Sequence, residues 1–381
     1  MQAYNKEIPI VYYHSVGPPD PRWTRNYLRL DPAYFEDQLN FFSRNFNVIT
    51  LKDYREVVNG LKYPVENALV ITFDDGYLDN WVRVFPLLKK YSLCATVFVS
   101  PEMVDLKNGI RPNLEDVWSG NISLNELPVS GFLSWEEMRL MEGSGLINIQ
   151  SHTMSHTKYF VSDILTGFHH PGSDSFYPIG NIYPECKPYY ITDPEYHKLI
   201  PFGYPFFEEK SAVVARKVTI NDEFINKCCE LLSDYNFNDY SFSAVKRIIE
   251  PLYREYSEEG NLITNIESEE NYLTRLNYEI SGSKTAIEKA LGKTVEFLCW
   301  PHGDNSHEAH ELALKAGYLA TSWGKLQPDN RDLTRIPQRI GTNALYNNRF
   351  LTIKRAEFKI KSYTGRFPYY QINSLYKKIR Y

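Results

Sequence analysis

The run Ala68-Leu-Val-Ile-Thr-Phe73 is apolar and β-branched without interruption, and it stops abruptly at Asp74-Asp75-Gly76. A run of this kind reads as a buried strand. Two carboxylates then stand at its carboxyl end, and Gly76 lets the backbone turn sharply. Successive strand residues face opposite ways, so one cleft receives both carboxylates only if the backbone turns at the strand end. In that arrangement one carboxylate is available to hold a metal and the other to take a proton. The competing reading makes Asp74 or Asp75 the N-cap of a helix after Gly76.

The rest of the chain alternates strands with helices. Ile8–Tyr13 reads as a first strand delivering His14, and Pro32–Phe46 as an amphipathic helix with Phe35, Leu39, Phe42 and Phe46 at helical spacing. A short helix capped by Thr50, a helix over 78–91 and a buried strand over 94–99 follow. Ser134 and Glu137 form a capping box at a helix start. The strand over 146–150 leads into Ser151-His-Thr-Met-Ser-His156. Such alternation implies parallel βα units, in a barrel or a doubly wound sheet, with ligands at the carboxyl ends of the strands. His14, Asp74, Asp75, His152 and His156 all fall directly after a predicted strand.

The alternation lapses between 159 and 265, where Pro, Gly and paired aromatics crowd a first half and two helices fill a second. A structureless loop of that size is improbable, so it reads as an insertion. The pattern resumes with a long helix over 268–291, a strand over 295–300, the turn Pro301-His-Gly-Asp304, a helix ending at Gly317 and a strand over 318–322. The expected organisation is a barrel in two parts, 1–158 and 266–345, an insertion at 159–265, and a tail at 346–381. That tail carries nine basic residues against one acidic among its aromatics from Arg349 onward. It reads first as a solvated basic helix on the barrel, and second as a contact for an anionic membrane surface or a lipid-linked substrate.

His152 and His156 are four apart, a spacing that lets two imidazoles converge on one ion from a helix face or a turn. With Asp75 they make a two-His, one-carboxylate set suited to Zn²⁺, while Fe²⁺ also uses such triads. Asp74 is placed to act as base, His14 as acid, and the backbone N–H of the Pro301-His302-Gly303 turn as a donor to a developing oxyanion. Trp323 is a candidate wall of a substrate pocket, with a core position as the equal alternative. His169-His170 reads as loop decoration, and His307 and His310 as exposed residues of a helix start.

These motifs carry a resemblance. Thr72-Phe-Asp-Asp-Gly76, His152-Thr-Met-Ser-His156, Phe297-Leu-Cys-Trp-Pro-His-Gly303 and Ile8-Pro-Ile-Val-Tyr-Tyr-His-Ser-Val16 resemble the polysaccharide deacetylases of carbohydrate esterase family four, the NodB homology domain. The likeness is greatest to the branch acting on poly-N-acetylglucosamine. It implies a distorted (β/α) barrel of seven strands, with Asp74 as base, Asp75, His152 and His156 as metal ligands, His14 as acid and the His302 backbone as oxyanion donor. Two positions depart from the family. Cys299 stands where much of it has an Arg that orients the base, and Arg335 or Arg339 is a candidate substitute, Arg339 also for substrate contact. His302 stands where a Tyr is usual.

The function expected is therefore a Zn²⁺-dependent hydrolase removing N-acetyl groups from an amino sugar in a glycan or glycan precursor. The alternatives are an amidase or O-acetyl esterase of the same fold, and a catalytically silent saccharide binder. A net charge of −5 gives no sign of a nucleic-acid partner. Five cysteines without a CxxC pair, and no signal-peptide pattern at the start, suit a cytoplasmic protein.

Overall fold

The computed structural model describes residues 7–326, 332–342 and 348–380, the chain beyond 375 by its backbone alone. Its centre is a wholly parallel sheet. The strands lie in the order Arg335–Ile336, Ala320–Ser322, Phe297–Leu298, Ile147–Ser151, Ala95–Val99, Ala68–Phe73, Ile10–Tyr13 and Ile340–Gly341, and Asn47–Val48 pairs with the start of Ala68–Phe73. The two outermost strands of that path are joined by Pro337-Gln338-Arg339 alone. Four residue steps reach no more than about 14 Å, so the sheet curls until its ends nearly meet. The result is the expected α/β architecture, a distorted (β/α) barrel.

Ala68–Phe73 is buried along its whole length, and its two faces serve different cores. Leu69, Ile71 and Phe73 pack outward with Phe35, Leu39, Phe42, Leu88 and Met138 beneath the surrounding helices. Ala68 and Val70 point inward with Ile10, Phe98, Phe297, Cys299 and Ile336, filling the barrel. The strand period of two continues this inward phase to Thr72 and Asp74. The helices start where the caps predict: the side chain of Thr50 accepts from the N–H of Asp53, that of Ser134 from Glu137 in a capping box, and that of Ser268 from Asn271. The helix that Ser268 caps carries a π turn at Tyr278–Gly282.

The stretch expected to be loop-rich begins instead as a strand. Lys158–Phe168 pairs antiparallel with Pro205–Ser211, with register shifts inside the ribbon. Those shifts break the alternation that marks a strand in sequence, and the partner lies far along the chain. Leu165, Phe168, Phe207, Phe224, Cys228, Val245 and Ile249 give this region its own core. A further aromatic cluster, including Phe176, Tyr177 and Tyr190, packs it onto Trp23, Tyr77 and Phe132 of the barrel. In the tail, helix Arg349–Tyr363 buries Thr352, Ala356 and Ile360 and ties Arg349 to Asp37 at 2.5 Å, and helix Tyr369–Arg380 follows. No helix among the described residues is long and apolar enough to cross a membrane.

Gly76 has φ +68°, and a Cβ there would lie 2.9 Å from Val99 Cγ1. Gly76→Ala is expected to destabilise the protein by about 1–3 kcal/mol, read as a lowered thermal midpoint.

Candidate active site

Asp74 reaches the barrel mouth on the inward phase of its strand, where its backbone N–H still donates to Tyr13 O at 2.9 Å. The next residue would face outward. Asp75 has φ +73°, a left-handed conformation uncommon outside Gly, Asn and Asp. With Gly76 also left-handed, the chain turns and both carboxylates line one cavity. Neither caps a helix, since the next helical turn begins at Asn80.

Arg339 meets Asp74 from the seam of the barrel. Its Nη1 and Nη2 donate to Oδ1 and Oδ2, each at 2.7 Å, and the guanidinium also reaches Thr72 Oγ1 at 3.2 Å and Cys299 Sγ at 2.9 Å. Burial raises the Asp74 pKa, but the charge and hydrogen bonds of Arg339 outweigh it and hold the carboxyl below its ordinary value.

His152 and His156 lie in a turn, with Thr153 and His156 at positive φ. Their Nε2 atoms sit 3.2 and 3.1 Å from Asp75 Oδ1. Nδ1 of His152 is 2.8 Å from the Cys299 carbonyl. A carbonyl only accepts, so that nitrogen carries a proton, and the bond turns Nε2 toward Asp75. The turn is braced from behind by the π turn: the Met154 N–H donates to the Glu279 carbonyl at 2.9 Å, and the N–H and hydroxyl of Ser155 donate to the Glu279 carboxylate. Burial raises the Asp75 pKa, yet His156 and His152 outweigh it and hold the carboxylate well below its usual range.

Asp75, His152 and His156 are all buried and offer one oxygen and two nitrogens within 4.8 Å of one another. That donor set fits a divalent ion such as Zn²⁺. Asp74, His152 and Cys299 also lie within that span. The Arg339 guanidinium contacts both Asp74 and Cys299, however, and its charge opposes a cation there.

The surrounding cavity is about 570 Å³ and is also lined by His14, His302, Trp323 and Arg339. All eight residues singled out from the sequence thus face one space. His14 stands edge-on to Tyr12, with ring centres 5.7 Å apart. His302 sits at φ +59° with its ring 4.8 Å from that of His156, and its Nε2 is bound to the Tyr177 hydroxyl at 3.0 Å. Arg339 is only 14% exposed, and its guanidinium is engaged with both carboxylate oxygens of Asp74 rather than open to the cavity. Arg335 lies instead beside Asp332 and Thr321. His310, expected at the surface, is buried between Thr321 and Thr334, because the helix turns that face onto the Ala320–Ser322 strand. His169 is buried against Ser173 and the His197 carbonyl, and His170 stacks on Tyr240.

A family profile described as polysaccharide deacetylase matches residues 62–170, the stretch holding Asp74, Asp75, His152 and His156. The chain carries a polysaccharide deacetylase domain. It is 30% identical over 151 residues to YxkH of Bacillus subtilis (strain 168), and 26% identical over 144 residues to a poly-beta-1,6-N-acetyl-D-glucosamine N-deacetylase of Escherichia coli (strain K12). Those matches cover 39% and 38% of this chain, and 43% and 20% of the respective relatives, so the shared region is a minority of each. A de-N-acetylase structure from Aggregatibacter actinomycetemcomitans superposes with a TM-score of 0.52 at 19% identity, over 91% of this chain and 98% of that one. The deacetylase domain of BpsB from Bordetella bronchiseptica gives 0.50 at 17%, over 89% and 98%. These structures share the fold.

Several residues around this cavity carry no sequence signal. Arg25 pairs with Asp174 at 2.7 Å, lies over the rings of Phe176 and Tyr177, and reaches the Tyr177 hydroxyl at 3.3 Å. Lys158 and Glu209 face each other across the antiparallel ribbon at 3.0 Å. They come from a connecting loop and from the insertion, where only the fold brings them to the rim.

Arg339→Met removes the only partner of both Asp74 oxygens among the described hydrogen bonds. Breaking a buried pair of this kind costs about 3–5 kcal/mol near neutrality. The folded pKa of Asp74 is depressed, so the stabilisation from Arg339 is present above the ordinary carboxylate pKa and disappears as pH falls through the folded value. The difference in urea unfolding free energy between wild type and Arg339→Met is therefore expected to be largest near neutral pH and to shrink toward acid.

Proposed function

We propose that this chain is a metal-dependent hydrolase that removes N-acetyl groups from an N-acetylated amino sugar within a glycan. The observation that carries the reading is the convergence of two imidazole Nε2 atoms on Asp75 beside a second carboxylate clamped by an arginine, in one cavity. In this reading Asp75, His152 and His156 hold a divalent ion, Zn²⁺ by donor type. When bound, such an ion would supply Lewis acidity to the acetyl carbonyl and to a nearby water.

The chain's own groups then divide the proton work. Asp74 accepts a proton from the attacking water, and Arg339 keeps it ionised and fixed in orientation to do so. Water oxygen bonds to the acetyl carbon and the C–N bond breaks. His14 gives its proton to the departing nitrogen, so that acetate and a free amine leave. The backbone N–H of His302 faces the oxyanion as it develops, and the bond from its imidazole to Tyr177 fixes the turn. The half-buried Trp323 offers an apolar wall for the acetyl methyl. The name of the E. coli relative, together with the tyrosines and tryptophans on the cavity wall, supports a glucosamine-based glycan as the substrate class.

Acetate release from N-acetylglucosamine oligomers tests the reading. Metal-stripped protein is expected to be inactive and to recover with stoichiometric Zn²⁺. Asp74→Asn is expected to lose about 10²–10⁴-fold in rate while still binding the ion, and His152→Ala to lose the ion itself. Activity unaffected by stripping, or full activity of Asp74→Asn, would overturn it.

A further inference from the structure

A second cavity, of about 190 Å³, lies beside the catalytic one, and every residue lining it falls within 158–225. It has room for about six waters, the order of one sugar ring. It shares Lys158, Tyr177 and Glu209 with the catalytic cavity. Those three form a partition: the Lys158–Glu209 ion pair spans the ribbon, and Lys158 Nζ lies 5.1 Å from the Tyr177 ring centre. The two cavities thus share one wall, with the second on the insertion side of it.

Its lining is mixed. Phe160, Tyr204, Ile182 and Ile225 supply apolar surface, and the exposed Lys217, Thr219 and Asp222 supply polar groups at the edge. Burial and the nearby Asp222 charge push the Tyr204 phenol up to about 12, so it stays protonated as a donor. Tyr159 is not open for stacking, since Lys217 and Arg275 already lie over its ring at 5.1 and 4.9 Å. An aromatic face with a few polar groups around it suits a saccharide, whose ring offers C–H surface and hydroxyls together. A purely apolar occupant would leave the polar edge unmatched.

We propose that this cavity is a second saccharide subsite, and that one glycan crosses the Lys158–Tyr177–Glu209 partition with one unit at Asp75, His152 and His156 and another against Tyr204. The inference rests on the deacetylase reading for the identity of its occupant. It makes the insertion a chain-length selector: a disaccharide fits the catalytic cavity and gains nothing from the second, whereas a longer oligomer occupies both.

The test uses Zn²⁺-loaded protein and dimers and hexamers of N-acetylglucosamine in β-1,4 and β-1,6 linkage. Thr219→Trp fills the cavity from an exposed position, and Tyr204→Ala removes the ring. Each is expected to lower kcat/KM for the hexamer by about tenfold and to leave the dimer unchanged. Hexamer affinity for the Asp74→Asn protein, measured by calorimetry, is expected to fall by the same factor when either change is added. Acetate release with an unaltered hexamer advantage in Thr219→Trp, and unaltered binding, would overturn the subsite and leave the deacetylase reading standing. No acetate from any oligomer, with hexamer binding still weakened by Thr219→Trp, would sustain the subsite and remove the deacetylase reading.

Discussion

The Arg339–Asp74 pair is the contact on which the rest of the site depends. Asp74 follows the strand on one side of Ile10–Tyr13, and Arg339 precedes the strand on the other side. Their bond therefore spans the first strand, with the Tyr12 ring 5.0 Å from the guanidinium. It joins the strand that presents the carboxylates to the segment that closes the sheet. A buried pair of this kind is weak evidence of net stability, because desolvating both charges costs about what their attraction returns. Its clear effect is geometric. A planar fork on both carboxylate oxygens fixes where each lone pair points.

Backbone strain is concentrated at the same rim. Asp75, Thr153, His156 and His302 are four of the six non-glycine residues with positive φ among the described residues. Each conformation costs about 1–3 kcal/mol and persists only where its surroundings fix it. For Asp75 the fixing comes from the imidazole pair, and for the His152–His156 turn from the buried carboxylate of Glu279. A π turn adds a residue to a helix and re-aims the side chains within it. Here it belongs to the helix that delivers Glu279 to Ser155.

The insertion combines a scaffold of its own with a wall of the site. Its core of Phe207, Phe224, Val245 and Ile249 does not draw on the barrel. Ion pairs tie it to the barrel, Lys187 with Glu102 at 2.5 Å and Arg25 with Asp174 at 2.7 Å among them, together with the aromatic cluster around Tyr177. Tyr177 belongs to that cluster and also binds His302, so the packing that docks the insertion also sets one edge of the cavity that holds Asp74 and Asp75.

The sequence by itself determined the barrel and most of its rim. An apolar β-branched run ending in Asp-Asp-Gly, and strands that each end in a polar residue, are local patterns, and strand period and turn chemistry are local physics. Asp74, Asp75, His14, His152, His156 and His302 were legible for that reason. Tertiary structure alone decided which arginine reaches Asp74, since Arg335 and Arg339 have equal standing in the sequence and only closure of the sheet puts one of them beside the carboxylate. The Lys158–Phe168 ribbon was hidden because its partner is distant and its bulges break the alternation. Arg25, Asp174, Tyr177 and Glu209 were hidden because side chains from a loop and an insertion meet the site only through long-range packing, which leaves no spacing along the chain.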